Sequence, residues 1–179
     1  MLHPDKLPPE LLTGPFTTGE AHDLGIGRGW LRHRKLVRLS RGIRTVEGAD
    51  SSLALLTRPY CIVTGHAAAS HATALEIWGM PGFHPDRGGP GIHIARQAPH
   101  TMMRRRGVIA HKTQFRNDEV VFLDGLWITT RARTWLDCAR KMSIEELVVG
   151  ADHLLRIPRP VFEARTAPYA TRADLELAI

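Results

Sequence analysis

The chain has 179 residues, of which 43% are hydrophobic and 23% are charged, and its formal net charge at pH 7 is +6. This composition provides enough apolar surface for a packed core and excludes wholesale disorder. The positive balance makes phosphate polymers the natural class of partner, although an ordinary solvated basic surface has the same composition.

Cysteine content and hydropathy bear on the compartment and on metal chemistry. Cys61 and Cys138 each lie in an apolar stretch, and two such residues provide neither a disulfide framework nor a metal-binding spacing. Prolines and charges interrupt the first residues, and no run of about 18 apolar residues occurs. We therefore expect a cytoplasmic protein without a membrane segment, a metal or a cofactor.

The N-terminal residues predict an arm followed by a capped helix. Four prolines in residues 1–15 predict a flexible arm. Thr17 and Glu20 then have the spacing of a capping box, which predicts a helix over residues 18–24 that ends at Gly25.

A second short helix and a hairpin are predicted next. The helix is expected over residues 28–34, and two strands over 36–39 and 43–46 follow it. Helix, turn, helix and hairpin in this order predict a winged helix-turn-helix over residues 16–48, which is a DNA-binding module.

The basic residues of the chain are concentrated in this module. Seven basic side chains and no acidic one lie within residues 24–46, so the rest of the chain sums to about −1. Such a local charge is typical of a DNA-binding surface, the alternative being a solvated basic face. Arg28 and Arg32 are predicted to contact base edges from one face of the second helix. Arg38, Arg41 and Arg44 are predicted to contact phosphates. Arg34 and Lys35, which lie between these two groups in the sequence, complete the predicted DNA-binding residues.

A second domain is predicted over residues 50–157. It begins with a helix over residues 53–56 that Pro59 ends, followed by a strand over 60–64. The alanine-rich residues 66–78 are then expected to form a helix.

A pair of strands with a basic connection follows. Residues 91–96 and 107–112 alternate in polarity and are expected to pair in antiparallel fashion. The connection carries Arg104, Arg105 and Arg106, which are candidates for secondary phosphate contacts, although a charge run in a loop is usually only solvated.

The next hairpin and helices are better specified. Asp124-Gly125 joins strands over 120–123 and 126–129, because both central residues of a type I′ turn need positive φ. Helices capped by Thr130 and by Ser143 follow, and Asp137 of the first is expected to pair with Arg133. The second domain should therefore contain a small, mainly antiparallel sheet with flanking helices, in an α+β protein.

The last residues, 158–179, read as an extended tail and the start of a helix capped by Thr171. No closing signal follows this helix. A truncated chain and a naturally frayed end both account for that pattern.

The ten histidines do not predict an enzyme. His66 and His71 are five residues apart, on different faces of the predicted helix. His93 and His111 are expected to be neighbours on the paired strands, where packing is the usual role of a pair without carboxylate or cysteine partners. We find no cluster of carboxylates for Mg²⁺-dependent nuclease chemistry and predict no catalytic residue.

Several motifs together resemble a known family. The N-terminal module resembles the winged helix-turn-helix of AbiEi-type antitoxins and related actinobacterial proteins in Phe16-Thr-Thr-Gly-Glu-Ala, Leu24-Gly-Ile-Gly-Arg-Gly-Trp-Leu-Arg and Arg38-Leu-Ser-Arg-Gly-Ile. Later motifs that resemble the family include Thr64-Gly-His-Ala-Ala-Ala-Ser, Leu75-Glu-Ile-Trp-Gly-Met-Pro and Leu123-Asp-Gly-Leu-Trp-Ile-Thr-Thr-Arg-Ala-Arg-Thr-Trp-Leu-Asp. Gly27 and Gly29 depart from the helix formers expected at the start of the second helix.

The resemblance covers residues 16–156 and implies a DNA-binding antitoxin or transcriptional repressor that acts on double-stranded DNA, with a cognate toxin as a further partner. In many such proteins a domain similar to the very-short-patch-repair endonuclease follows. The alternative is therefore the DNA-targeting part of such an endonuclease, without its catalytic domain. A protein-interaction module with incidental basicity is a third interpretation.

Overall fold

The structure is a computed structural model that describes residues 7–49, 51–82, 84–101 and 104–179. These residues form a mixed α+β fold with six α-helices and two sheets, which confirms the predicted α+β class. The helices are α1 (Thr18–Asp23), α2 (Leu53–Thr64), α3 (His71–Ile77), α4 (Arg131–Cys138), α5 (Ile144–Leu155) and α6 (Arg172–Ala178). The strands are β1 (Phe16–Thr17), β2 (Leu36–Ser40), β3 (Ile43–Val46), β4 (Ala67–Ala69), β5 (Ile92–Gln97), β6 (Val108–Thr113), β7 (Val120–Leu123) and β8 (Leu126–Thr129).

The predicted arm is partly folded. Residues 1–6 lie outside the described part of the chain, but Leu7 and Leu11 are buried, and Pro9–Leu11 form one 3₁₀ turn. The two leucines share an apolar cluster with Phe16 and Leu31. These two leucines therefore hold the described residues that precede β1 against the module, where the sequence predicted a flexible arm.

The N-terminal module contains the predicted first helix and hairpin but not the predicted second helix. Thr17 and Glu20 form the capping box of α1, and β1 joins the β2–β3 hairpin in a sheet with the order β1-β3-β2. Over residues 28–34 only Trp30–Arg32 are helical, as a 3₁₀ turn. Gly29 lies inside the predicted helix, where glycine costs about 1 kcal/mol relative to alanine, and Gly27 precedes it, so helix formation is disfavoured at its start.

Helix α2 runs through Pro59, so the predicted helix end and the strand over 60–64 are both wrong. Ser52 caps the helix, and Pro59 is buried inside it. The proline removes one backbone hydrogen bond. The apolar contacts of Tyr60 and Cys61 in the main core offset that loss.

The five-stranded sheet is mixed, so the prediction of a mainly antiparallel sheet is wrong. Its order is β6-β5-β4-β8-β7, with antiparallel pairs β4–β5 and β7–β8 and parallel pairs β5–β6 and β4–β8. The antiparallel pairing predicted for β5 and β6 is wrong, although parallel strands usually need a longer, helical connection. A stretch of ten residues, such as 98–107, can span roughly 33 Å. It is therefore long enough to lead from the end of β5 back to the start of β6, along a strand about 20 Å long.

The helix predicted over residues 66–78 is divided into β4 and α3. Alanine favours helices, but Ala67, Ala68 and Ala69 pair with β5, and Ala69 also pairs with Ile128 of β8. Tertiary pairing on both sides of β4 has therefore overridden the helix propensity of alanine.

The three C-terminal helices begin directly after the capping residues from which their starts were predicted. Thr130, Ser143 and Thr171 cap α4, α5 and α6 through their side chains. The tail is not detached, because Ala170 and Leu175 are buried in a core that also contains Cys138, Leu154 and Met142.

The Asp124-Gly125 turn is also confirmed, with φ values of +47° and +84°. We predict that Gly125→Ala lowers the free energy of unfolding by about 1 kcal/mol or more, since alanine disfavours positive φ. Gly29→Ala should instead raise it by about 0.4–1 kcal/mol, because Gly29 has helical φ and ψ and open space around it. Urea denaturation of both variants measures these changes, and equal effects at the two positions would contradict the assignment.

Candidate nucleic-acid interface

Two basic segments that are far apart in the chain line one groove. Strand β2 provides Arg38, the β2–β3 turn provides Arg41, and the connection between β5 and β6 provides Arg104, Arg105 and Arg106. The space between them is about 480 Å³. We call these five residues the arginine groove. Its two halves were predicted as separate DNA-contacting segments, and the structure brings them together.

Arg105 connects the two halves of the arginine groove. Its Nη1 donates a hydrogen bond to Ser40 Oγ at 3.1 Å and to the Arg41 carbonyl oxygen at 2.5 Å. The backbone of the hairpin turn is therefore tied to the β5–β6 connection. Arg104 and Arg106, on either side of Arg105, are exposed.

The charges of the arginine groove are not neutralised by carboxylates in the described residues. None of its five arginines forms an ion pair there. Like charges this close repel one another and attract counterions, so the groove has the electrostatics of an anion-binding surface.

Arg44 has a structural role beside the groove. It lies directly opposite Arg38 in the β2–β3 register. Its Nε donates to the Leu31 carbonyl oxygen at 3.3 Å and its Nη1 to the Ile43 carbonyl oxygen at 3.1 Å. Burial, and then the charge of Arg38, lower the pKa of Arg44. These bonds hold the 3₁₀ turn against the hairpin.

The other predicted contacts lie on an irregular segment. Arg28, Arg32 and Arg34 are exposed, and Lys35 is half-buried. Because the second helix is not formed, Arg28 and Arg32 do not share a helical face as predicted. Trp30 is half-buried and packs against the apolar cluster of the module.

Four histidines, in addition, form a cluster. The sequence predicted that His93 and His111 would be neighbours, which the structure confirms, but not that His71 and His84 would join them. His71 begins α3, and His84 lies in the loop between α3 and β5. His93 lies on β5 and His111 on β6. His93 Nδ1 is 2.9 Å from His111 Nε2, and the rings of His71 and His111 stack with centroids 3.5 Å apart. His71 has a φ of +48°, an uncommon backbone conformation for a side chain of this kind.

Charged groups surround this histidine cluster. Asp86 Oδ2 lies 3.7 Å from His93 Nε2 and 2.5 Å from Lys141 Nζ. On the other side, Asp137 Oδ2 lies 3.9 Å from His71 Nδ1, and Asp137 Oδ1 accepts a hydrogen bond from Arg133 Nε at 2.8 Å. The predicted Arg133–Asp137 ion pair is thus confirmed.

Burial controls the protonation of the cluster. Burial, followed by His111 and His93, lowers the pKa of His71 to about 3, and burial and His111 lower the pKa of His93 to about 4. The pKa values of His84 and His111 are lowered too, mainly by burial. The four rings are therefore neutral at pH 7, and a hydrogen bond joins the rings of His93 and His111.

Comparison with known proteins does not assign a family to the chain. No protein-family model matches it, and no curated protein sequence matches it. Within the described residues, no helix is long and apolar enough to cross a membrane. Nor do three or more His, Cys, Asp or Glu side chains of those residues form a group that could hold a metal ion.

We predict that the histidine cluster makes the fold acid-sensitive. Unfolded histidines titrate near pH 6.5, so in acid the unfolded chain binds protons that the folded chain excludes. The contribution of the cluster to stability is therefore complete above pH 6.5 and is lost as the pH falls towards 4 and then 3. Each excluded proton adds a slope of about 1.4 kcal/mol per pH unit to the free energy of unfolding.

Urea denaturation between pH 7 and pH 4 measures this slope. The His93→Gln variant should reduce the slope of the free energy of unfolding against pH by the contribution of about one proton. His22→Gln, at an exposed position on α1, should leave this slope unchanged. An equal slope in wild type and His93→Gln would show that the folded protein accepts these protons.

Proposed function

We propose that the protein binds double-stranded DNA through the arginine groove and acts without catalysis, as an antitoxin or transcriptional repressor in the cytoplasm. The observation that carries this proposal is the convergence of Arg38 and Arg41 with Arg104, Arg105 and Arg106 on one surface. About sixty residues of chain separate the two segments. Their convergence supports the selection of a positive surface more directly than a single basic run does.

The chemistry of the groove favours phosphate as the ligand. A guanidinium group presents a planar array of donors that matches two phosphate oxygens. Several such groups without carboxylate partners suit a polyanion, because its binding releases condensed counterions and relieves the repulsion between the arginines. Duplex DNA has phosphates at regular spacing along such a surface.

The proposal keeps Arg28 and Arg32 as the pair that contacts base edges. Since they lie on an irregular segment, the contacts would be made by long side chains reaching from a loop, without a helix lying in the major groove. Arg34 and Lys35 would then contact phosphates between this segment and the hairpin.

The AbiEi-type resemblance is part of the same proposal. Helix α1 with its capping box, the β2–β3 hairpin and the added strand β1 support a winged-helix relative. The single 3₁₀ turn in place of a second helix is where the chain departs from that plan. A toxin partner is proposed on the resemblance alone.

We predict that duplex binding is steeply salt-dependent and that single arginine variants change the slope. Each lost phosphate contact should reduce the slope of log K against log salt by about 0.9. Arg41→Ala and Arg104→Ala should each reduce the slope by this amount. The double variant should reduce it by about twice as much. Fluorescence anisotropy of a labelled duplex across a salt series measures these slopes.

Arg140→Ala is the matched control, because Arg140 is an exposed arginine that follows α4, outside the groove. It should leave the salt slope unchanged. Duplex binding that does not depend on salt, or an equal loss in Arg140→Ala, would contradict the groove as the DNA-binding surface.

A further inference from the structure

A second cavity lies between α2, β4 and the β7–β8 hairpin, and none of its lining residues belongs to the arginine groove. Its volume is about 510 Å³, which is in the range of small-molecule sites. Cys61 and Ile62 line it from one side of α2. The proposed DNA-binding function does not use this cavity.

The interior of the cavity is apolar, with a small-residue floor and aromatic walls. Ala67 and Ala68 of β4 contribute only methyl groups, so space remains above this part of the sheet. Phe115 and Trp127 form the walls. Trp127 is 51% exposed, although large aromatic side chains are usually covered, and its ring pairs with that of Phe122 at 4.9 Å.

The rim of the cavity is polar, with hydrogen-bonding groups and positive charges. His66, Gln97 and Asn117 provide imidazole and amide groups, which can donate and accept hydrogen bonds. Arg58 and Arg116 also line the cavity, whereas none of the lining residues that the structure describes is acidic. Arg58 pairs with Glu20, and Arg116 pairs with Asp118 and Glu119, so each arginine is already partly engaged outside the cavity.

We propose that this cavity binds a nucleobase. The base would stack on Trp127, since every base has a π-face that an exposed aromatic ring can cover. The amides of Gln97 and Asn117 suit the donor and acceptor edge of a base. The attached phosphate would lie towards Arg116 at the rim. A free nucleotide and an unstacked base of a single-stranded nucleic acid both offer this chemistry.

Isothermal titration calorimetry separates these two sources. The protein is titrated with the four ribonucleoside monophosphates in one arm and with short single-stranded homo-oligonucleotides in the other. The Arg41→Ala/Arg104→Ala double variant serves as the background for both arms, so that binding in the arginine groove does not add to the signal. We expect saturable binding of at least one probe with a dissociation constant below about 1 mM.

Two variants locate the binding. Trp127→Ala should weaken it by about 10-fold or more, the effect expected from losing one stacked base. Asn117→Ala, at an exposed position, should weaken it without affecting folding, and Trp30→Phe, in the N-terminal module, should not change it. Saturable binding of monophosphates identifies a free nucleotide as sufficient, whereas binding of oligonucleotides alone identifies a nucleic acid.

No heat of binding with any probe up to about 5 mM would overturn the proposal, as would binding that Trp127→Ala and Asn117→Ala leave unchanged. Neither result bears on duplex binding by the arginine groove, which is measured separately in the wild-type protein.

Discussion

Burial of helix α2 is the constraint on which both sheets depend. Tyr60 and Cys61 of this helix share one core with Ile43 of the hairpin and with Ile94 and Ile128 of the five-stranded sheet. Through Ile43 the N-terminal module shares this core, in addition to its own apolar cluster around Phe16 and Leu31. The position of the hairpin turn relative to the large sheet follows from this common core, and Arg105 adds a polar link at the surface.

This arrangement explains how a basic groove is assembled from distant segments. The arginines repel one another, so they need a rigid support that holds them in place without a ligand. Apolar packing beneath the hairpin and the parallel β5–β6 pair provide that support. His93 and His111 lie on the same strand pair, where their neutral rings share a hydrogen bond and add no positive charge at pH 7.

Local patterns predicted the elements whose cause is local. The capping boxes at Thr17 and Ser143 and the turn at Asp124-Gly125 each depend on residues no more than three positions apart, and all three are present. Pro59 and the alanines of β4 were misread because contacts with distant residues outweigh local propensity there.

The candidate sites show the same division between local and long-range causes. The basic residues could be identified from charge alone, but the joining of Arg41 to Arg105 depends on the packing of α2, which periodicity does not reveal. The sequence predicted the His93–His111 pair but not the full cluster, because His71 meets His111 only after β5 and β6 pair in parallel. The nucleobase cavity depends on the meeting of Ala68 and Trp127 from separate strands, for which no sequence signal was available.

Strand β7 has a further consequence, because it is an edge strand of the five-stranded sheet. Its sequence, Val-Val-Phe-Leu, contains neither proline nor charge, the features by which natural sheets usually discourage pairing with another chain. Phe122, at 60% exposure, adds apolar surface at the same edge. Concentrated solutions of the protein should therefore associate through this edge first, which light scattering over a dilution series would detect as a rise in apparent mass.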